Sequence, residues 1–127
     1  DDTAKVWKAA TGKELFTFRG HSSWIRSVAF SSDGQRIISG GQDGTARVWD
    51  ATTGKELLTL KGHSGFIFAV AFSPDDQWIL TAGDDQTAKL WEAATGKELL
   101  TFRGHSSGIS SAAFSPDGKR IVTAGNG

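Results

Sequence analysis

The sequence predicts an all-β repeat fold with about four short antiparallel strands per unit, and three observations carry that prediction. One 42-residue unit is written three times: residues 1–42, 43–84 and 85–126 align without a gap, 21 of the 42 positions hold the same residue in every copy, and Gly127 is left over. Short β-rich segments recur at the 8–12-residue spacing of all-β folds, each bounded by Gly, Ser, Asn or Asp. No segment has a helical period. Self-similarity of this length marks a module that cannot bury its apolar face alone and must stack on a copy of itself.

The units read as follows. Residues 45–49 (TARVW), and their counterparts 87–91 (TAKLW), are short and β-rich. Residues 51–55 (ATTGK) form a polar turn in which Gly54 is free to take a positive φ. Residues 56–60 (ELLTL) make the next strand, broken by Gly62-His63-Ser64. Residues 67–72 (IFAVAF) are the most apolar strand and are expected to be the most buried. A hairpin turn follows at 73–77 (SPDDQ), where Pro74 presets φ; its equivalents are SSDG at 31–34 and SPDG at 115–118. Asp76 stands where the other copies have Gly, and Asp is among the few residues that tolerate a left-handed backbone. Residues 79–81 form the next strand, and the 83–86 turn leads into TAKLW.

Composition narrows the function. Lys plus Arg and Asp plus Glu are 14 each, so no basic excess exists to neutralise a phosphate backbone or an anionic membrane surface. Nucleic acid and membrane are not expected partners. Cysteine is absent, which removes disulfides, thiolate metal sites and a Cys nucleophile. The longest apolar run, 66–72, is far short of the ~20 residues of a membrane span. No signal-like segment is seen, and the missing initial Met reads as a processed, trimmed or excerpted N-terminus. Localisation is open, with the cytoplasm favoured.

Gly-His recurs at Gly20-His21, Gly62-His63 and Gly104-His105, and the Trp-Asp position recurs as Trp7-Lys8, Trp49-Asp50 and Trp91-Glu92. Together with the SPDG-type turn and the period, this resembles the WD-repeat β-propeller family over the whole chain. Lys8 and Glu92 depart from Asp at a strand end, where the fold does not depend on it. The resemblance implies a hydrogen-bond network in each blade: His21, Ser39, Asp43 and Trp49, then His63, Thr81, Asp85 and Trp91. The third set has His105 and Thr123 at one end of the chain, with Asp1 and Trp7 at the other. A buried indole, hydroxyl, imidazole and carboxylate would satisfy one another, where each alone would be costly.

The expected division is two outer strands of a split blade (1–19), two complete blades (20–61 and 62–103), and two inner strands of another split blade (104–127). Propellers close with about four to eight blades, so three blade equivalents should stay open and expose apolar faces and strand edges. The expected remedy is a head-to-tail homo-oligomer. A dimer with six blades is favoured over a trimer with nine, and the remaining alternative is a fragment of a longer propeller.

Enzymatic readings are weaker. The three His fall at equivalent places in separate units rather than converging on an ion. Ser39, His21 and Asp43 have the residue types of a hydrolase triad, yet the set repeats in every unit and no nucleophile elbow precedes the Ser. Gly40-Gly41 and the Thr-Gly-Lys-Glu runs lack the pattern of a phosphate loop. No catalytic, cofactor or metal residue is therefore assigned.

The informative differences between copies lie at Trp24, Arg26, Phe66, Phe68, Gly108 and Ser110, and at Gln42, Asp84 and Asn126. In a four-stranded meander the loop entering strand one and the turn between strands two and three share one end of the blade, so these positions crowd one rim. The resemblance implies that this rim docks peptides or proteins. The same aromatics could simply cover the blade edge. Trp78, replacing Arg36 and Arg120, is expected on the opposite rim as a partly exposed structural residue. The expected function is thus a non-enzymatic binding scaffold. The alternative is a purely structural self-assembling module, engineered or excerpted from a longer propeller.

Overall fold

The computed structural model describes residues 3–125. Twelve strands and no helix are present among them: β1 (Thr3–Lys8), β2 (Lys13–Arg19), β3 (Ile25–Phe30), β4 (Arg36–Gly41), β5 (Thr45–Asp50), β6 (Glu56–Lys61), β7 (Ile67–Phe72), β8 (Trp78–Gly83), β9 (Thr87–Glu92), β10 (Glu98–Arg103), β11 (Ile109–Phe114) and β12 (Ile121–Gly125). They form four antiparallel sheets in simple sequential order: β1-β2, β3-β4-β5-β6, β7-β8-β9-β10 and β11-β12.

Turn chemistry sets the hairpins. Ser31, Ser73 and Ser115 each donate a hydroxyl to the Asp two residues on, at 2.6–2.7 Å. Each also accepts the main-chain N–H of the residue that leaves the turn, Arg36, Trp78 or Arg120, at 2.9–3.0 Å. Asp76 takes φ 63°, matching Gly34 and Gly118 at 72° and 74°. Gly54 takes φ 76° in the β5–β6 turn, where the Asp50 carboxylate accepts the N–H groups of Thr52 and Thr53 at 2.8 and 3.0 Å. At the matching strand end Glu92 accepts the Thr95 hydroxyl at 2.6 Å, which shows why the Asp there can be replaced.

No sheet has a core of its own. Ile38, Val48 and Leu60 of the second sheet pack on Ile67, Val70, Ile79 and Trp91 of the third. Leu80, Ala82 and Ala88 meet Ile109 of β11, and Phe18 of β2 stacks on Trp49 with centroids 5.2 Å apart. Apolar area leaves water only where two sheets meet, so each repeat depends on its neighbour.

The expectation that residues 67–72 form the most buried strand is corrected. Phe68, Ala71 and Phe72 of β7 are only half-buried, whereas β9 is buried from Thr87 to Trp91 and β8 from Ile79 onward. β7 is an edge strand with one hydrogen-bonded neighbour, while β8 and β9 have neighbours on both sides. Apolar content alone does not report this difference.

The contacts that the third sheet makes with its two neighbours are tuned differently. A Cβ on Gly40 would lie 2.6 Å from Ile67 Cγ2 and 2.8 Å from Val70 Cγ1. One repeat later Ala82 takes the Gly40 position and Ala112 takes that of Val70. Gly40 goes with Val70 at one contact and Ala82 with Ala112 at the next, while isoleucine is kept at Ile67 and Ile109. The hairpin ends are also joined at the first contact. The Ser32 N–H and hydroxyl both reach the Asp76 carboxylate at 2.8 Å. Arg36 lies 5.2 Å over the Phe72 ring and donates to the Asp76 carbonyl at 3.1 Å. Ser32 stands where the other copies have Pro74 and Pro116, and proline has no N–H to give.

Candidate functional site

The His networks assemble where two loops of one sheet converge. His21 follows β2, Ser39 lies in β4, Asp43 in the β4–β5 turn and Trp49 in β5. His21 Nδ1 lies 3.1 Å from Asp43 Oδ2, and Nε2 lies 2.7 Å from Ser39 Oγ. Trp49 Nε1 donates to the same Ser39 Oγ at 2.9 Å. The second set repeats this: His63 to Asp85 at 3.0 Å, His63 to Thr81 at 2.7 Å, and Trp91 to Thr81 at 2.9 Å. One hydroxyl proton points to the imidazole while its oxygen accepts the indole N–H, so every member is satisfied with a neutral histidine protonated on Nδ1.

In the second network the electrostatics agree with a neutral imidazole. Burial pushes the His63 imidazole below its ordinary range, and the Asp85 hydrogen bond opposes it without reversing it. Burial would raise the Asp85 carboxyl, but hydrogen bonds from His63, Thr87 and the Ser64 N–H hold it below the ordinary carboxylate range. Asp43 is likewise held low against burial by the Thr45 and Ser22 N–H groups, the Thr45 hydroxyl and His21.

Thr45 and Thr87 belong to these networks and were missed in the sequence; their hydroxyls donate to Asp43 and Asp85 at 2.9 and 2.8 Å. The Asp-x-Thr spacing repeated in all three units is the signal that could have found them. The Gly before His21 and the Gly before His63 also gain a reason. A Cβ on Gly62 would sit 2.8 Å from Glu98 Oε1 and 3.0 Å from Trp91 Cη2, and one on Gly20 would sit 2.7 Å from Trp49 Cη2. The loop passes over the indole too closely for any side chain.

The third network is partial within one chain. His105 Nε2 lies 2.7 Å from Thr123 Oγ1. Asp1 lies outside the described residues, and Trp7, in β1, is 55% exposed. Ser39 is fully buried with its oxygen held by Trp49, so the arrangement offers no reachable nucleophile.

Among the described variable positions, Gln42 meets Trp24, Asp84 meets Phe66, and Arg26, Phe66 and Phe68 are in contact. The Gln42 N–H donates to the Trp24 carbonyl, and the Asp84 N–H to the Phe66 carbonyl, both at 2.8 Å. Trp24 is 58% and Phe66 41% exposed. The Arg26 guanidinium lies 5.3 Å over the Phe68 ring, and Phe68 meets Phe66 edge-on at 6.2 Å. Among the described residues no carboxylate pairs with Arg26. Asp84 and Ser110 are exposed, Gln42 is half-buried and accepts the Ser23 hydroxyl at 3.3 Å, and Gly108 is buried. Asn126 lies outside the described residues. Trp78 starts β8 at the other end and is partly exposed.

Comparison with known proteins agrees with this geometry. The family model described as WD domain, G-beta repeat matches residues 12–50, 54–92 and 96–127. A Lissencephaly-1 homolog of Heterostelium pallidum is 46% identical over 41 residues, 32% of this chain and 10% of that protein. Nuclear distribution protein PAC1-2 of Uncinocarpus reesii is 42% identical over 43 residues, 34% of this chain and 9% of that protein. A serine-threonine kinase receptor-associated protein of Gallus gallus is 46% identical over 43 residues, 34% of this chain and 12% of that protein. Each alignment is about one repeat long and covers about a tenth of the relative. With three successive matches and the same His, Ser or Thr, Asp and Trp contacts in both complete sheets, the chain belongs to the WD-repeat family.

Proposed function

We propose that this chain is a non-enzymatic interaction scaffold that docks a peptide or protein on the rim formed by Trp24, Arg26, Phe66 and Phe68. One observation carries the reading. These side chains contribute nothing to the His networks, yet Trp24 and Phe66 stay open to solvent, and the Arg26 guanidinium over Phe68 has no carboxylate partner among the described residues. Trp and Arg are the residue types that dominate binding hot spots. Gln42, Asp84 and Ser110 supply polar groups around them.

The rim is presented by a closed ring of copies joined head to tail. Residues 1–19 and 104–127 each supply half of a shared blade, and 20–61 and 62–103 form whole ones. Two copies with six blades are favoured over three with nine, because six lies in the range of about four to eight at which propellers close.

The test is selection from a displayed random-peptide library on the wild-type protein and on a Trp24→Ala, Phe66→Ala, Phe68→Ala variant, with masses from light scattering. Peptides enriched by the wild type and lost by a variant of unchanged mass support the rim. Equal retention by both refutes it. If nothing is enriched, the second reading takes over: a purely structural self-assembling module.

A further inference from the structure

The middle repeat carries a paired exchange on the rim. In the second sheet the Ser23 hydroxyl donates to Gln42 Oε1 at 3.3 Å. One repeat later the same two positions hold Gly65 and Asp84. A Cβ on Gly65 would lie 3.4 Å from Asp84 Cβ and 3.5 Å from its Oδ2, so the two positions still touch, but glycine has removed the hydroxyl. Asp84 is exposed, and among the described residues its carboxylate accepts no hydrogen bond and meets no cation.

The opposite charge stands unpartnered on the neighbouring sheet. Arg26 of β3 lies 5.3 Å over the ring of Phe68 in β7, within the ~6 Å at which a ring attracts a cation. Arg36 shows the same contact with its donors in use: it lies 5.2 Å over Phe72 and also donates to the carbonyls of Asp76 and Ala93 at 3.1 and 3.4 Å. Arg26 donates to no oxygen among the described residues, so the ring contact aims the guanidinium and leaves its N–H donors open. An apolar step joins the two charges. Phe68 meets Phe66 edge-on at 6.2 Å, and the Phe66 carbonyl accepts the Asp84 N–H at 2.8 Å. Phe66 stays 41% exposed although β7 packs against β3 on one side and β11 on the other. Every residue of this series lies between β3 and the β8–β9 turn, and Arg26 reaches forward onto β7, away from whatever precedes β3.

We propose that the rim recognises a bipolar peptide segment, with an acidic side chain on Arg26, a basic side chain on Asp84 and an apolar side chain between them on Phe66 and Phe68. The inference rests on the rim-docking reading and adds the chemistry of the occupant. A guanidinium pairs with a carboxylate through two parallel N–H bonds, whereas phosphorylated motifs are taken by clusters of arginine, and here one arginine stands alone. Asp84 disfavours an occupant that is acidic throughout, because a second carboxylate would face it without compensation. Arg26 disfavours one that is basic throughout for the same reason. Both charges and Phe66 are exposed, so the surface is an open shelf. It suits an extended chain laid across it better than a small molecule, whose sites enclose most of the ligand.

Selection from a displayed random-peptide library on the wild type, on Arg26→Glu and on Asp84→Lys tests this. The wild type is expected to enrich peptides with one acidic and one basic residue at a fixed separation around an apolar one. Arg26→Glu should exchange acidic for basic at the first position only, and Asp84→Lys basic for acidic at the second only. The most enriched wild-type sequence, made as a soluble fluorescent peptide, then gives dissociation constants. Arg26→Ala and Asp84→Asn should each weaken it about tenfold. Lys55→Ala, in the β5–β6 turn at the other end, should leave it unchanged. Urea unfolding of the same variants separates lost recognition from lost folding: the midpoints should not move, and a lowered midpoint would mark the side chain as structural and overturn its role. Peptides that depend on Phe66 but carry charge of one sign, or none, overturn the bipolar occupant and leave the rim standing. So do paired charges that neither reversal exchanges. No enrichment by the wild type overturns both.

Discussion

Thr81→Val is the sharpest perturbation of the blade networks. Thr81 is fully buried, accepts Trp91 Nε1 at 2.9 Å and lies 2.7 Å from His63 Nε2. Valine has nearly the same shape, so no cavity opens and no strand propensity is lost. What disappears is the oxygen, which leaves an indole N–H and an imidazole nitrogen buried without partners. Each unsatisfied group costs about 1–3 kcal/mol, so the expected loss is about 2–5 kcal/mol. That is a large share of the ~5–15 kcal/mol by which ordinary domains are stable. Thr81→Ser is the control, because Ser39 does the same work in the first network; it deletes one methyl and should cost about 1 kcal/mol. Urea unfolding followed by tryptophan fluorescence at fixed protein concentration measures both. Equal stability of the Val and Ser variants would refute the reasoning, since the hydroxyl would then carry no net energy. Thr123→Val in the same assay reads the third network: it should match Thr81→Val in an assembled ring.

Four other outcomes are expected. Gly40→Ala forces a Cβ to within 2.6 Å of Ile67 and should destabilise by about 1–3 kcal/mol, and adding Val70→Ala should restore much of this in a double-mutant cycle. Gln86 holds φ 70° where Gly44 holds 78°, so Gln86→Gly should stabilise by about 1 kcal/mol in thermal unfolding. Asp76→Gly keeps the turn but removes the acceptor for Ser32, and should speed amide exchange at Ser32 and Asp33 without changing the fold. Acid should weaken the protein in two stages. His63 is depressed from 6.5 in the fold, so the unfolded chain binds its proton first and stability falls as pH drops below about 6.5. Asp43 and Asp85 are depressed from 3.8, so their contribution, intact above that value, is lost as pH falls through their lower folded values. His63→Gln should remove the first stage from a pH–stability curve and leave the second.

Much of the fold was legible because the relevant information is local and repeated. The Asp76 turn, the Gly54 turn and the strand order follow from short-range backbone sterics that three copies restate. Four members of each complete network were legible through the family pattern, though Thr45 and Thr87 were not, and the meeting of Trp24 with Gln42 and of Phe66 with Asp84 followed from counting strand directions in a meander. Local pattern reading failed where the deciding neighbour lies one repeat away. It ranked β7 as the most buried strand because it weighed apolar content without knowing which strands have partners on both sides. It also read Asp76 only as a residue that tolerates a left-handed backbone and did not connect it with Ser32, although each makes the other useful.

By itself the sequence determined that the chain is a stack of incomplete β modules, each carrying its own turn residues and its own His, hydroxyl and Trp. Spacing within a unit is enough for that, since strands a few residues apart have little choice of partner. Only the tertiary structure decided how neighbouring units fit: Gly40 against Val70, Arg36 over Phe72, Arg26 over Phe68, and the open faces of Phe30 and Val122. These contacts depend on shape and distance between separate sheets. Half of the repeat is identical in all copies, so composition cannot distinguish one interface from the next, but packing at atomic distance can.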